Sequence, residues 1–173
     1  MKILLVSPQT PDTFWSFKHV LKFVSKKSSI PPLGLLTVAA MLPRDWELRL
    51  VDENVSRLRD EDLRWANYVM ISAMIVHKES VYQIVARAKA HGKCVIAGGP
   101  LFTTGHDAFP EIEHFVLGEA EELMPQLVAD ILSGQLRPIY QATGWPSLTQ
   151  TPIPRWDLIN PSHYVTMSVQ FSR

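Results

Sequence analysis

Lys93-Cys94-Val95-Ile96-Ala97-Gly98-Gly99-Pro100 is the stretch whose reading decides the fold. An apolar run with no polar alternation, halted by two glycines and a proline, reads as a strand buried on both faces. Tyr68 to Ile75 is a second run of this kind, with Ser72 near its end. Between the two lie Val81, Ile84, Val85 and Ala88, spaced i, i+3, i+4, i+7, the stripe of an amphipathic helix. His91-Gly92 stops that helix. Strand, helix, strand in this order is a β-α-β unit, which closes with a right-handed crossover and parallel strands.

The pattern repeats in both directions. Lys2 to Val6 is an apolar strand ended by Ser7-Pro8. Pro31-Pro32 opens a helical pattern over Leu33 to Leu42, stopped by Pro43. Glu47 to Val51 is a strand running into the polar loop Asp52-Glu53-Asn54, and Asp60 to Trp65 is a short helix. Glu113 to Leu117 is the fifth strand, followed by Gly118. A last helix is expected with Glu119, Glu121 and Glu122 in its first turn, where the macrodipole favours acid, and with Gly134 as its stop. The expected fold is therefore α/β: a flavodoxin-like (Rossmann-like), doubly wound, five-stranded parallel sheet in the order 2-1-3-4-5 over residues 1–134. Residues 135–173 are expected to carry an extra strand at Arg137 to Ala142, a proline-rich linker, and a final strand from Tyr164 to Phe171 that begins a further domain.

Composition narrows the function. The 173 residues are 46% hydrophobic and 20% charged, with 17 basic and 17 acidic side chains. That balance gives no basic surplus for nucleic acid, and Lys18, Lys22, Lys26 and Lys27 read most simply as a solvated helix face. No apolar run suits a membrane span or a signal peptide, so a cytoplasmic protein is expected. The single cysteine, Cys94, excludes an internal disulfide and a cysteine-built metal site, and reads as inert core. His106, Asp107 and His114 lack metal-ligand spacing, and His77 reads as a solvated residue at a helix start.

In such a fold ligands bind outside the carboxyl ends of the strands, beside strand 1. The loops there begin at Ser7, Asp52, Ser72, Gly98 and Gly118. The first contains no glycine, which excludes the dinucleotide fingerprint and the P-loop. Strand 3 ends in Ser72 rather than an aspartate, which excludes a phosphoacceptor site. What remains is Ser72-Ala73-Met74 and, after twenty-three intervening residues, Gly98-Gly99. A glycine pair at a strand end lets a flat ligand approach the backbone, and a neighbouring serine offers a hydroxyl. Taken singly, these are a tight turn and a core serine.

S-x-L followed by a glycine pair one helix later resembles the nucleotide-tail half of the cobalamin-binding pattern, with Met74 in place of the leucine. The other half, D-x-H-x-x-G after strand 1, is missing, since the nearest histidine is His19. Nearly end to end, the chain resembles the N-terminal domain of cobalamin-binding radical S-adenosylmethionine enzymes, in the subgroup that includes hopanoid C-methylases. The matching stretches are Thr13-Phe14-Trp15, Pro31 to Leu36, Val51 to Val55, Ala97 to Pro100, Leu117 to Glu121 and Met167 to Arg173.

The resemblance implies a cobalamin site. Ser72, Ala73, Met74, Gly98, Gly99 and Pro100 would line a slot for the dimethylbenzimidazole tail. Pro8, Gln9 and Thr10 would lie under the corrin, with Phe14 or Trp15 covering it or simply packing. Asp52, Asn54, Gly118 and Glu119 would border the ring. Binding would be base-off, with no histidine from the strand 1 loop on cobalt. It also implies a radical S-adenosylmethionine barrel as partner, following Arg173 with a C-x3-C-x2-C loop for a 4Fe–4S cluster, and a small-molecule or lipid substrate methylated at an unactivated carbon. No catalysis is expected of residues 1–173 alone. Other readings are a non-catalytic corrinoid carrier or sensor module and a cofactor-free flavodoxin-like interaction domain.

Overall fold

The computed structural model describes residues 1–12, 21, 23, 25–144, 146–147, 149 and 151–167. Thr13, Phe14, Trp15, Lys18, His19 and Lys22 lie outside the described residues, as do 168–173 of the expected final strand. The described elements are β1 (Lys2–Ser7), α1 (Leu33–Met41), β2 (Glu47–Asp52), α2 (Asp60–Trp65), β3 (Tyr68–Ser72), α3 (Lys78–Ala90), β4 (Cys94–Gly98), α4 (Pro100–Gly105), β5 (His114–Leu117), α5 (Met124–Ser133) and β6 (Ile139–Gln141). A 3-10 turn, Ile75–His77, leads into α3.

The sheet is parallel and six-stranded among the described residues, in the order β2-β1-β3-β4-β5-β6. The five-strand expectation is corrected by β6, which extends the 2-1-3-4-5 order beyond β5 and falls after residue 134. Its anchor is Tyr140, which is 4% exposed and donates its hydroxyl to Asp130 Oδ2 on α5 at 2.8 Å. Arg137 Nε lies 3.1 Å from the same oxygen. A strand of three residues thus gains a buried aromatic and a charge-assisted bond that its own length could not supply.

Alternate residues of each strand feed opposite layers, as the pleat dictates. Leu4, Val6, Val69, Ile71, Val95 and Ala97 face the layer of Leu63, Val81, Ile84, Val85 and Phe102 from α2, α3 and α4. Ile3, Leu5, Met70, Ile96 and Val116 face Leu35, Ala39, Met124, Leu127 and Ile131 from α1 and α5. The sheet is covered on both sides, which is why its inner strands β1, β3 and β4 read as continuous apolar runs, while edge strand β2 alternates.

Three local differences from expectation have physical causes. β3 ends at Ser72 rather than Ile75: the Ala73 N–H makes the last ladder bond, to Gly98 O at 3.1 Å, and Ile75–His77 then coils into a 3-10 turn closed by His77 N to Met74 O. The acidic run Glu119–Glu122 precedes α5 instead of opening it, since Pro125 fits only the first turn and fixes the start at Met124. Of the expected strand from Tyr164, the described part makes one isolated parallel bridge, Tyr164 to Ser28.

Among the described residues no helix is long and apolar enough to cross a membrane.

Candidate functional site

The register brings the candidate loops to one edge. Ser72 pairs with Gly98, and Gly98 pairs with Val116. On the other side of β1, Ser7 pairs with Asp52. β1 lies between β2 and β3, the position where the sheet opens a crevice at the carboxyl ends.

A crevice of about 610 Å³ occupies that place. Gln9, Thr10, Asn54, Ser72, Ala73, Met74 and Pro100 line it; Ala73, Met74 and Pro100, expected in the slot for the base, lie on this crevice instead. The wall opposite the sheet is Lys27 to Leu35, which the sequence reading did not assign to a site. Pro31-Pro32 is the available signal: it marks the start of the helix after β1, and in a parallel crossover that start lies at the carboxyl edge.

A narrower apolar slot of about 60 Å³ lies between the sheet and helices α1 and α5. Gly98, Gly99 and Gly118 line it with Leu35, Met124 and Leu127, and Ser72 lines both cavities. The glycines are sterically required. Gly99 has φ +94°, and a Cβ there would sit 2.9 Å from Ser72 Oγ and 3.0 Å from Ala73 O. A Cβ on Gly98 would meet Val116 O at 3.1 Å. Leu101 N donates to Ala73 O at 3.0 Å, so the β3 and β4 loops are stapled to each other.

Three candidates line neither cavity. Pro8 is buried, and its carbonyl accepts from Asn54 Nδ2 at 3.2 Å. Asp52 is 4% exposed; its Oδ1 accepts from Asn54 N and Nδ2, and its Oδ2 accepts from the Tyr164 hydroxyl at 3.0 Å. Glu119 is half-buried and lines neither cavity. Pro8 and Asp52 are supports beneath the crevice rather than its surface.

Asn54 is the keystone of the β1 loop. Its Oδ1 accepts from Thr10 N at 2.8 Å, while its amide nitrogen holds Pro8 O and Asp52. Gln9 N donates to Ser80 Oγ at 2.9 Å, and that hydroxyl donates to Glu53 Oε2 at 3.1 Å. Side chains from the neighbouring loops therefore hold the β1 loop that lacks glycine.

His77 corrects the sequence reading. It is 7% exposed rather than solvated, and it lines the crevice. Its Nδ1 accepts from Met74 N at 3.2 Å, and its Nε2 lies 3.3 Å from Thr10 Oγ1. Burial holds its pKa below the ordinary imidazole range, against the pull of Asp52. Met74, Ile75 and Val76, by contrast, stand more than half exposed along the rim (53%, 66% and 55%).

Tyr164 was also missed, and no local signal could have found it. The segment around it joins the crevice wall through Lys27 N and Ser28 N to His163 O, Val165 N to Ser28 O, and Thr166 N to Ser29 O. Among the described residues there is no cluster of three or more His, Cys, Asp or Glu fit to hold a metal.

The lining suits a broad amphipathic ligand: polar groups from Gln9, Thr10, Asn54 and Ser72 face apolar Leu21, Ile30 and Pro31 to Leu33, and a glycine-floored apolar slot lies alongside, sharing Ser72 and Leu35. At 60 Å³ the slot is narrower than a bicyclic aromatic base, so entry of one would spread Leu35 and Met124.

Comparison with known proteins agrees with this geometry. Residues 23–128 match the model of the B12 binding domain. An uncharacterised methyltransferase of Synechocystis is 42% identical over 175 residues, covering 100% of this chain and 33% of the relative. The hopanoid C-2 methylase of Rhodopseudomonas palustris is 31% identical over 176 residues, covering 99% of this chain and 33% of the relative. The bacteriochlorophyllide d C-12(1)-methyltransferase of Chlorobaculum tepidum is 30% identical over 124 residues, covering 70% of this chain and 27% of the relative. The chain thus spans about a third of the length of the curated relatives it matches. No solved structure matches. With a crevice and a glycine-floored slot side by side on the carboxyl edge of a parallel sheet, and with the family's model covering most of that sheet, the chain belongs to the B12-binding domain family.

Proposed function

We propose that this chain is the cobalamin-holding part of a radical S-adenosylmethionine methyltransferase, acting on an unactivated carbon of a small-molecule or lipid substrate. The observation that carries the reading is the adjacency of two cavities that share Ser72 and Leu35, one broad with polar groups from Gln9, Thr10, Asn54 and Ser72, the other narrow and apolar. That arrangement corresponds to a flat ring with a dangling base once Leu35 and Met124 move aside to admit the base. The methyltransferase relatives supply the reaction class.

In this reading Ser72, Gly98, Gly99 and Gly118 receive the base, so cobalamin binds base-off. Gln9, Thr10, Asn54, Ala73 and Met74 face the ring, and the Lys27 to Leu35 wall bounds it. When bound, the cofactor supplies a cobalt-held methyl group. The protein's part is to fix the ring's orientation and keep water from its covered face. The exposed Met74, Ile75 and Val76 rim gives an apolar border where ring or barrel would exclude solvent. S-adenosylmethionine and the 4Fe–4S cluster would belong to a barrel in the same protein.

The test is to mix the chain with hydroxocobalamin and separate it by gel filtration. Visible absorption coeluting with the protein supports the reading. Its absence at saturating cofactor favours a cofactor-free interaction domain. Sequencing the gene beyond Arg173 separates enzyme from carrier: a C-x3-C-x2-C triad supports the methyltransferase, and its absence favours a carrier or sensor module.

A further inference from the structure

The Met74 N–H can only donate, so the lone pair it meets on His77 Nδ1 carries no proton. A neutral His77 then bears its proton on Nε2, which faces Thr10 Oγ1 at 3.3 Å. Burial favours that neutral form. The Thr10 hydroxyl accepts from His77 and keeps its own hydrogen for another partner. Its backbone is fixed by the Asn54 bond, and the residue lines the crevice.

We propose that Thr10 is a ligand-orienting donor, held by His77 as a positioning residue, and that its hydroxyl hydrogen bonds to a carboxamide oxygen on the rim of the corrin. His77 itself does not ligate cobalt: Nδ1 is taken by the backbone and Nε2 carries the proton. The inference rests on the cobalamin reading above. It deepens that reading by assigning a specific recognition contact to the loop that lacks the family's ligating histidine.

The corrin ring carries several carboxamide arms, each a strong acceptor. One neutral hydrogen bond contributes enough to change a dissociation constant by about three- to tenfold. Titrating the chain with hydroxocobalamin by fluorescence quenching measures that change. Thr10→Val is expected to weaken binding by about this factor, and Thr10→Ser, which restores the hydroxyl, to stay within about twofold. His77→Leu should weaken binding as Thr10→Val does, and the double variant should be no weaker than either single variant. His77→Gln, with an amide N–H to offer, should rescue most of the loss. Thermal unfolding of each variant checks that it is folded.

A spectroscopic arm addresses the metal. Paramagnetic resonance of the cobalt(II) form is recorded on chain labelled with ¹⁵N-histidine and on unlabelled chain. Identical hyperfine patterns are expected. A pattern that changes with the label in the parent but not in His77→Gln means the His77 imidazole is on cobalt and overturns the proposal. Equal affinity of Thr10→Val and the parent, or equal loss in Thr10→Val and Thr10→Ser, also overturns it. If the parent chain binds no cobalamin at all, the underlying reading falls and this inference with it. If the parent binds and the variants do not differ, only the inference falls.

Discussion

Tyr164 donates its hydroxyl to Asp52 Oδ2 at 3.0 Å, joining the segment after the proline-rich linker to the end of β2. Both residues are 4% exposed. Burial and the Asp52 charge push the Tyr164 pKa far up, so the phenol stays a donor at any physiological pH. Asp52 in turn holds Asn54, and Asn54 holds the β1 loop. The crevice is thereby tied to the chain's C-terminal segment by a continuous run of hydrogen bonds.

Tyr164→Phe removes the donor and leaves a buried carboxylate oxygen without it. The expected loss is about 1–3 kcal/mol in urea unfolding. Limited proteolysis should also cut faster near residues 26–29, whose backbone pairs with the same segment. A variant as stable and as protease-resistant as the parent would show that the contact carries no structural weight.

Substitution of the slot glycines should follow their surroundings. Gly99→Ala meets both an unfavourable φ of +94° and a contact of 2.9 Å with Ser72 Oγ, so it should be the most damaging, by about 1–3 kcal/mol. Gly98→Ala has the 3.1 Å contact with Val116 O but no positive φ, and should cost less. Gly92→Ala has φ +63° with nothing within 4 Å, and isolates the backbone cost at about 1 kcal/mol. Chemical denaturation of the three variants gives the ranking; an equal effect at Gly92 and Gly99 would mean the close packing at the slot floor is not tight.

The strands and the major helices were legible because a sheet covered on both faces must be built from apolar runs, and Lys2 to Val6 and Lys93 to Ala97 are such runs. Their glycine and serine ends could be read for the same reason: each marks where backbone must leave the sheet. β6 was read as a separate extra strand because three residues carry too little pattern, and its docking depends on Asp130 from another element. Met74, Ile75 and Val76 look like strand but stand exposed at the rim, since an apolar side chain at a binding edge resembles a core one in sequence. His77 and Tyr164 eluded the reading because the partners that place them at the crevice, Thr10 and Asp52, lie 67 and 112 residues away.

The buried imidazole predicts a pH effect of definite sign. Burial lowers the His77 pKa below 6.5, while Asp52 opposes the shift. The unfolded chain therefore takes up the proton more readily than the folded one as pH falls. The stabilisation is present above the unfolded pKa and is lost as pH drops through it towards the folded value. Between about pH 7.5 and 5.5, stability of the parent should fall more than that of His77→Gln, whose side chain does not titrate. Parallel profiles from urea titrations at each pH would place His77 in a solvated setting.

Cys94 opens β4, half-buried beside Glu113. Burial and then the Glu113 charge push its thiol up to about 11, with Lys89 pulling weakly the other way. At about pH 8 only about one molecule in a thousand then carries the reactive thiolate, against about one in ten for a thiol at the ordinary value of 9.0. Alkylation by iodoacetamide, followed by intact mass, should therefore be about a hundredfold slower in the native chain than in urea. Glu113→Gln removes the neighbouring negative charge, and it should speed native alkylation while the rate in urea stays the same. A native rate equal to the unfolded one would mean that this end of β4 opens freely, and that the pairing of Tyr68 with Cys94 at the sheet's amino edge frays.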